Sequence, residues 1–579
     1  MNKFFENHNF QFGKIATLVI IFNLQFSIFN QVHAQETYES AQIATEDLNG
    51  TARYIGMGGA MEALGADIST MGTNPAGIGL FRRSWIGISG GTTIQNGQEN
   101  RNTMANIGRD KGITNADLNQ VGFIYSNKFS YNSHFNLGFN YHKSRNFNQI
   151  ISAMNSLDGY SSSNKLSVMR CYNFDRSYGI RKDRNGEYFN PNISLVDDAN
   201  MYAVNDYLET SNYLYGKYEY GARAADGYNA YRENSGYIGE YDFNFSANFN
   251  DRVYLGLTFG VKDVNYKSNY RYGEFLISDD AEGLPDGEYS FVDDREVTGT
   301  GFDVKFGTII RPSEYSPFRF GLYLHTPTWY DLTAKINMRA EATSTGATTN
   351  SPTLALNYDY RIMTPWKFGV SVGHTFGKIV AIGATYEYAD YSNIKNRIKT
   401  GYDTYQYTDG WYYYYDRRDT YANDLQMNNN TRNTLKGVSL VKVGVEVKPS
   451  QVLAFRLGYN YQSAIYKDDG YKDSTIDADY CDGKNGQGGS THDYTNWKGT
   501  NRITFGIGFT FDKNWTLDLS YQYATQKGEY HPFESSNIEG QEIGRGSFTE
   551  GSGTVSNTDT PCEVKNNRHQ INATLGYRF

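Results

Sequence analysis

Apolar and polar residues alternate with a period of two along most of this chain. In the C-terminal segment, apolar side chains recur at Ile571, Leu575 and Phe579, and polar residues such as Asn572 and Thr574 lie between them. Successive side chains of a β-strand point to opposite faces, so this segment is predicted to be a strand with one apolar and one polar face. The same alternation recurs in residues 135–141, 380–388, 453–461 and 503–511. The pattern therefore predicts an all-β fold.

Short and long connections alternate between the predicted strands. Bacterial outer-membrane barrels have an even number of strands, with tight periplasmic turns and long external loops, whereas periodicity alone also fits a soluble sandwich. One strand on each side of every connection gives 14 antiparallel strands over residues 85–579, which predicts a transmembrane outer-membrane β-barrel with long external loops. The short connections lie near residues 129–133, 250–251, 312–317, 377–378, 449–451 and 512–514, and the long ones cover 95–118, 147–237, 268–297, 341–352, 392–436, 463–500 and 525–567.

The first part of the chain does not continue this pattern. Residues 1–34 carry Lys3 and Lys14, an apolar run over 15–29 and a small residue, Ala34, at their end, which predicts a cleaved signal peptide; an uncleaved anchor is the alternative. Residues 35–84 are rich in Gly and Ala, too apolar for a free tail and too short for a separate domain. A barrel of this size has a lumen wide enough either to need filling or to conduct water, and a plug is the simpler explanation of this segment. Residues 35–84 are therefore predicted to form an N-terminal luminal plug, or hatch.

Composition narrows the possible functions. The mean hydropathy of −0.62 excludes a protein with several membrane-spanning helices. The net charge of −9 gives no indication of the basic surface with which proteins bind nucleic acids. The chain contains no nucleophile elbow, P-loop, HExxH or paired CxxC motif, so we expect neither an enzyme nor a bound cofactor. The nine His residues are scattered without a ligand spacing, and haem stays an open question.

The segment TARYIGMGGAMEALGADISTMGTNPAGIGLF resembles the N-terminal hatch of the FadL/TodX family of outer-membrane transporters. The matching residues are Gly58-Gly59-Ala60, Gly65-Ala66-Asp67 and Asn74-Pro75-Ala76, and the last of these directly precedes the first predicted strand. The resemblance implies passive uptake of long-chain fatty acids or similar hydrophobic compounds, captured by external loops and released past the hatch. It also implies that Tyr577 and Phe579 belong to the signal that the barrel-assembly machinery reads. Two features depart from the family: a polar extension precedes the hatch, and the external loops are longer than expected.

Within the hatch, Asn74, Pro75 and Ala76 are candidates for a gating role. Proline fixes the backbone of a turn and asparagine bonds neighbouring backbone groups, so the tripeptide either gates the lumen or only shapes the turn into the first strand. Gly58, Gly59 and Gly65 are predicted to allow close packing in the lumen.

Two further sets of candidates lie in the barrel. Pro327 and Pro365 each follow a Thr within a long predicted strand, and proline removes a ladder donor, so each marks a kink, a strand-edge adjustment or an opening in the wall. The segment YDTYQYTDGWYYYYDRRDTY gathers aromatic residues in an external loop, where they form a ligand-capture surface or simply pack within the loop. The candidates for capture are Trp411, Tyr412, Tyr413 and Tyr414.

Two functions remain open. The first is uptake of a hydrophobic small-molecule ligand through the outer membrane of a Gram-negative cell, where the barrel contacts outer-membrane lipid and lipopolysaccharide. The second is a FadL-fold barrel that acts as a secretion shuttle or surface partner for an exported protein. Aromatic residues that converge toward the hatch would favour uptake.

Overall fold

The fold is known from a computed structural model. It describes residues 36–95, 113–157, 160–161, 181–182, 188–189, 225–276, 287–344, 347–350, 354–409, 412–472, 493–512, 514–544 and 547–579. The predicted signal peptide (1–34) and the candidate Trp411 lie outside these residues.

Fourteen antiparallel strands form a closed barrel, as predicted. The barrel closes because β1 pairs with both β2 and the last strand, so that Ile88 lies opposite Val121 on one side and Leu575 on the other. The strands are β1 (Trp85–Gln95), β2 (Ile113–Ser130), β3 (Ser133–Asn146, followed by Gln149–Ser156), β4 (Ala225–Phe249), β5 (Val253–Leu276), β6 (Gly287–Ile310), β7 (Arg319–His325 and Trp329–Ser344), β8 (Leu354–Met363 and Lys367–Phe376), β9 (Val380–Asp390 and Lys395–Asp409), β10 (Gly437–Val447), β11 (Leu453–Gln462), β12 (Tyr494–Phe511), β13 (Trp515–His531) and β14 (Cys562–Arg578).

Shorter strands lie outside this ring, and several of them extend it. Ala347–Asn350 pairs with the end of β7, and Tyr412–Asn423 pairs with the end of β9. The remaining short strands form two separate pairs, Arg181–Lys182 with Tyr188–Phe189 and Ser536–Gly544 with Ser547–Asn557.

Tight turns connect consecutive strands at one end of the barrel, at the predicted positions. Asn132, Asn250, Asp251 and Asp512 all have positive φ there, between 50° and 60°. Asn and Asp tolerate this left-handed conformation better than other non-glycine residues, which explains their choice at these turns. We call this the short-turn end and the opposite one the long-loop end.

The outer and inner faces of the barrel differ as the alternation predicts. On β14, Ile571 and Leu575 are 52% and 44% exposed, whereas Asn572 and Thr574 face inward and are buried. An apolar outer face of this kind is stable only against lipid, since burial of a large apolar side chain stabilises by about 1.5–3 kcal/mol.

The strands are longer than the sequence analysis predicted. β5 continues to Leu276 and β6 begins at Gly287, although residues 268–297 were predicted to be one loop. Outward-facing residues of β5 are apolar from Val253 to Val261, and polar ones such as Asp263 and Lys267 follow. A membrane-spanning strand needs only about 9–11 residues. Beyond that length the outward residues are polar and inward ones such as Val264 and Tyr266 are apolar, so the alternation reverses its faces while the strand continues. The sequence analysis therefore underestimated the strand.

Strands β7, β8 and β9 break at one level of the wall. The breaks contain Thr326–Thr328 with Pro327, Thr364–Trp366 with Pro365, and a 3₁₀-helix at Tyr391–Asn393. Threonine side chains replace part of the missing ladder: Thr328 N–H donates to Thr364 Oγ1 at 2.8 Å, and Val304 N–H donates to Thr326 Oγ1 at 3.0 Å. Both prolines therefore lie at local breaks, and the two breaks are neighbours.

The described part of the N-terminal segment, residues 36–84, fills the barrel lumen, as predicted for a plug. It contains helices α1 (Thr37–Ala44) and α2 (Ala52–Gly56) and 3₁₀-helices at Ile68–Gly72 and Pro75–Leu80. A third helix, α3 (Leu425–Thr434), lies beside α1, where Thr37 Oγ1 and Thr431 Oγ1 are 3.2 Å apart. No helix among the described residues is long and apolar enough to span a membrane.

Candidate functional site: the hatch and the lumen around it

Asn74 is fully buried between the hatch and the barrel wall. Its Oδ1 accepts from Ala76 N–H at 3.2 Å and caps the 3₁₀-helix that begins at Pro75. Its Nδ2 donates to the carbonyl of Glu62 at 3.0 Å and to that of Thr308, on β6, at 3.3 Å. One side chain thus joins two parts of the hatch and one wall strand.

The wall strands carry glycine where they contact Asn74-Pro75-Ala76. A Cβ on Gly256 of β5 would lie 2.5 Å from the Pro75 carbonyl oxygen, and a Cβ on Gly307 of β6 would lie 2.9 Å from Pro75 Cδ. Ser246 Oγ, on β4, donates to the same Pro75 carbonyl at 2.9 Å. Asn74-Pro75-Ala76 is therefore held in a cradle that the sequence of the hatch alone did not reveal.

The three hatch glycines lie at close approaches. Gly58, Gly59 and Gly65 all have positive φ, at 63°, 79° and 62°. A Cβ on Gly58 would lie 2.9 Å from the backbone nitrogen of Tyr459 on β11, and one on Gly65 would lie 2.5 Å from Leu80 Cδ1. Both the left-handed backbone and the lack of space require glycine at these positions.

The polar extension that departs from the family is an integral part of the plug. Residues 36–49 are largely buried, and their carboxylates face basic residues of the wall. Arg295 of β6 contacts Glu36 at 3.4 Å and Glu39 at 2.9 Å, and Lys472 contacts Glu36 at 3.1 Å. Burial alone would raise the pKa of Glu36, but the charges of Lys472 and Arg295 outweigh it and lower this pKa below its usual value.

Asp47 makes a second set of contacts in the same extension. Arg145 Nη1 lies 3.0 Å from Asp47 Oδ1, while Arg502 and Arg568 approach the carboxylate at 3.8 Å. The backbone N–H of Asn146 also donates to Asp47 Oδ2 at 3.0 Å. Burial would raise the pKa of Asp47, and the three guanidinium groups lower it instead.

One group of side chains in the lumen has the donor types of a metal site. His142, Glu240 and Asp242 place ligand atoms within 4.8 Å of one another. Lys305 contacts both carboxylates, at 3.0 Å from Asp242, and Lys262 lies 3.3 Å from Glu240. The two ammonium groups are shared with further carboxylates, since Lys262 also contacts Glu46 and both lysines contact Asp303. The group therefore fits an ion-pair network better than a metal centre.

Buried aromatic residues form one contiguous cluster between the hatch and the long-loop end of the barrel. Tyr38 of α1 stacks on Tyr466 with ring centroids 4.8 Å apart, and Phe147 meets Tyr266 at 4.9 Å. The cluster continues upward along β4, β5 and β13, where Tyr228 lies 6.0 Å from Tyr530. We call it the aromatic cluster; its rings are those of Tyr38, Phe147, Tyr228, Tyr266, Tyr270, Tyr272, Phe291, Tyr330, Tyr358, Tyr360, Tyr391, Tyr466, Tyr494, Trp497, Tyr530 and Phe533.

The predicted capture residues Tyr412, Tyr413 and Tyr414 lie on a strand. It spans Tyr412–Asn423 and pairs with the end of β9 in a hairpin rather than an irregular loop. Their proposed role stays a prediction. The aromatic cluster itself was missed because its members are spread over many strands. The available signal was tyrosine recurring two or four positions apart, on one face of a strand, as in Tyr266, Tyr270 and Tyr272.

The C-terminal residues lie at the short-turn end. The Tyr577 ring is 4.7 Å from that of Trp515, and Phe579 is 60% exposed while its N–H donates to the carbonyl of Ser84 at 3.1 Å. Their proposed role in barrel assembly is likewise not decided by this geometry.

No protein-family model and no curated protein matches the chain. Among solved structures, the toluene transporter TbuX of Ralstonia pickettii is 12% identical and aligns over 92% of this chain and 99% of its own, with a TM-score of 0.42. The monoaromatic hydrocarbon channel CymD is 10% identical over 93% of this chain and 99% of its own, with a TM-score of 0.42. A FadL homologue of Pseudomonas aeruginosa is 10% identical over 93% and 100%, with a TM-score of 0.45. These are FadL- and TodX-type transporters, the group that the hatch residues resemble.

Proposed function

We propose that this protein is an outer-membrane channel for passive uptake of hydrophobic compounds, with long-chain fatty acids as one candidate class. A hydrophobic solute enters at the long-loop end and moves from water into the aromatic cluster. It then passes the hatch when the hatch moves. Neither ATP nor a cofactor is needed, because the solute moves down its own gradient. The similar solved structures of toluene and monoaromatic hydrocarbon transporters are consistent with this class of solute.

The aromatic cluster carries the proposal. A hydrophobic solute does not cross a water-filled pore efficiently, because each CH₂ that leaves an apolar site for water costs about 0.8 kcal/mol. The cluster extends from Tyr228 and Tyr530 near the long-loop end down to Tyr38 on the hatch itself, and because its rings are packed and buried, the solute passes between rings that move apart. It therefore supports a route along which the solute stays out of water until it reaches the plug.

Asn74-Pro75-Ala76 is the proposed gate of this route. The tripeptide is anchored to β4, β5 and β6, and release of the Thr308 and Ser246 contacts frees the hatch from one side of the wall. Outer-membrane lipid and lipopolysaccharide are the proposed surroundings of the apolar outer face. We further propose export by a cleaved signal peptide and insertion by the barrel-assembly machinery, which reads Tyr577 and Phe579.

The test is uptake of labelled toluene and labelled palmitate by cells that express the chain. Tyr466→Ala removes the ring that stacks on Tyr38, and we expect uptake to fall at unchanged surface levels. Tyr315→Ala is the matched control, because Tyr315 is 99% exposed on a turn at the short-turn end. Equal uptake of both solutes by the two variants would contradict a role for the cluster.

Mass spectrometry of protein purified from native outer membranes identifies the natural solute. An enriched fatty acid or aromatic compound, relative to an unrelated barrel prepared identically, supports uptake. An exported protein bound at near-equal amount, with no enriched small molecule, would favour the secretion shuttle instead.

A further inference from the structure

The lumen contains a polar cavity of about 120 Å³ directly below the aromatic cluster. Arg145, Arg502 and Arg568 line it together with Phe147, Tyr466 and Trp497, and the Arg145 guanidinium lies 6.0 Å from the centre of the Phe147 ring. The arginines come from β3, β12 and β14, so the closed barrel brings together residues that are far apart in the sequence. The cavity thus has an aromatic part and a cationic part.

Positive charge exceeds negative charge around this cavity. Among the described residues that line it, the basic ones are Lys143, Arg145, Arg502 and Arg568, and the acidic one is Asp47. Lys143 is neutralised separately by Asp117 at 2.5 Å. Three guanidinium groups therefore share one carboxylate, and two of them approach it only at 3.8 Å. A buried surplus of two positive charges is costly unless an anion compensates it.

Two hydrogen-bond donors of the same arginines are also unused, although Arg568 Nη2 donates to the carbonyls of Asn146 and Asn148. The Nε atoms of Arg145 and Arg568 are buried without a hydrogen-bond partner among the described residues. Arg502 is nine-tenths buried, and its terminal nitrogens reach the neutral Asn460 and Gln462 side chains at 3.0 and 3.3 Å. Guanidinium groups pair best with planar carboxylates, which accept two parallel N–H bonds.

We propose that this cavity binds the carboxylate of a small aromatic acid, with its ring against Phe147, Tyr466 and Trp497. The volume limits the ligand to a single ring, since an apolar cavity of about 150 Å³ holds one benzene molecule and this cavity of about 120 Å³ is no larger. Asp47 is the internal competitor of the ligand, because it occupies the same three arginines from the hatch side. Arrival of an organic anion therefore weakens one contact that holds the hatch extension in place.

A role of this site in transport rests on the proposed uptake function, whereas binding of the carboxylate does not. Binding is therefore measured on the purified full-length protein in detergent, by equilibrium dialysis with labelled benzoate and, for comparison, benzyl alcohol. We expect benzoate to bind at least about tenfold more tightly than benzyl alcohol, since hydrogen bonds to charged groups are the stronger ones. Failure of uptake in cells leaves this result standing, and failure of binding leaves the uptake of neutral solutes standing.

Two substitutions test the residues. Arg502→Gln combined with Arg568→Gln is expected to weaken benzoate binding at least about tenfold and to leave benzyl alcohol unchanged. The control is Arg361→Gln, because Arg361 pairs with Asp331 at an exposed position, where the two side chains are 40% and 51% exposed. Asp47→Asn is expected to tighten benzoate binding, since it removes the competitor while keeping the shape; a purely structural role of Asp47 predicts no tightening.

The outcomes that would overturn the proposal are specific. Equal binding of benzoate and benzyl alcohol, or benzoate binding that Asp47→Asn leaves unchanged or weakens, would exclude an anion site that competes with Asp47. Displacement of benzoate by sulfate as readily as by a second aromatic acid would show that the cavity recognises charge alone and not an organic acid.

Discussion

Substitution of Gly256 by Ala is expected to loosen the hatch without unfolding the barrel. The new methyl group would lie 2.5 Å from the Pro75 carbonyl oxygen and closer still to the Pro75 carbonyl carbon. β5 cannot yield easily, because it is paired along its length with β4 on one side and β6 on the other. The hatch must therefore retreat by about 1 Å to restore an ordinary van der Waals distance of 3.4 Å.

Overpacking of this kind costs about 1–3 kcal/mol. If that cost falls on the contact between hatch and wall, local opening of the hatch increases about 5- to 150-fold. Hydrogen exchange of a peptide covering residues 68–80, followed by mass spectrometry, measures this opening. A peptide covering residues 571–579 reports on the barrel in the same experiment and is expected to keep its protection.

Gly90→Ala provides the matched control. Gly90 also lies on a barrel strand, β1, but its added Cβ would meet only the Asp117 carbonyl oxygen, at an ordinary 3.5 Å. We expect exchange in residues 68–80 to be unchanged in this variant. Equal exchange in the two variants would refute the idea that the wall glycines hold Asn74-Pro75-Ala76 in its cradle.

Three further predictions follow from contacts of the hatch and the wall. Asn74→Ala removes two buried donor bonds and a cap, at about 1–3 kcal/mol for the groups left unpaired, and should lower uptake at normal surface level; unchanged uptake would exclude a gating role. Arg295→Gln leaves the Glu36 carboxylate buried with less compensation, so exchange in α1 should rise sharply, whereas Arg361→Gln should leave it unchanged. Because its neighbours lower the pKa of Glu36 despite burial, its stabilising effect persists above its usual pKa of about 4.3 and is lost as the pH falls below that value. Protection of α1 should therefore be equal at pH 8 and pH 5 and fall in stronger acid.

The sequence was sufficient to predict the barrel because lipid imposes a strict alternation on its outer face. Residues such as Ile571 and Leu575 must be apolar, and the turn residues Asn250 and Asp251 must accept positive φ, so each strand and tight turn leaves a local pattern. The upper parts of the strands reverse this pattern, with polar residues outside and apolar ones inside. Beyond Val261, β5 has water outside and the aromatic cluster inside, and its sequence there was interpreted as a loop.

The candidate site was predicted only where it is local in sequence. The hatch motif could be recognised because Asn74-Pro75-Ala76 is contiguous. The arginines that surround Asp47 come from three strands, and their meeting depends on barrel closure and strand register, which single-sequence periodicity does not determine. The extension could be recognised only as a polar stretch before the hatch, since the opposing basic residues, such as Arg295, are what show that its carboxylates are buried.

The great length of β4, β5 and β6 has a consequence for the cell surface. Each has 24 or 25 residues, which corresponds to about 80 Å at about 3.4 Å per residue. Tilted by about 40°, such a strand rises about 60 Å, against an apolar band of about 25 Å. If the long-loop end faces outward, this side of the barrel projects above the membrane as a continuous wall of paired strands. About 35 Å of that rise lies outside the apolar band, so a solute entering at this end meets protein well before it reaches the bilayer.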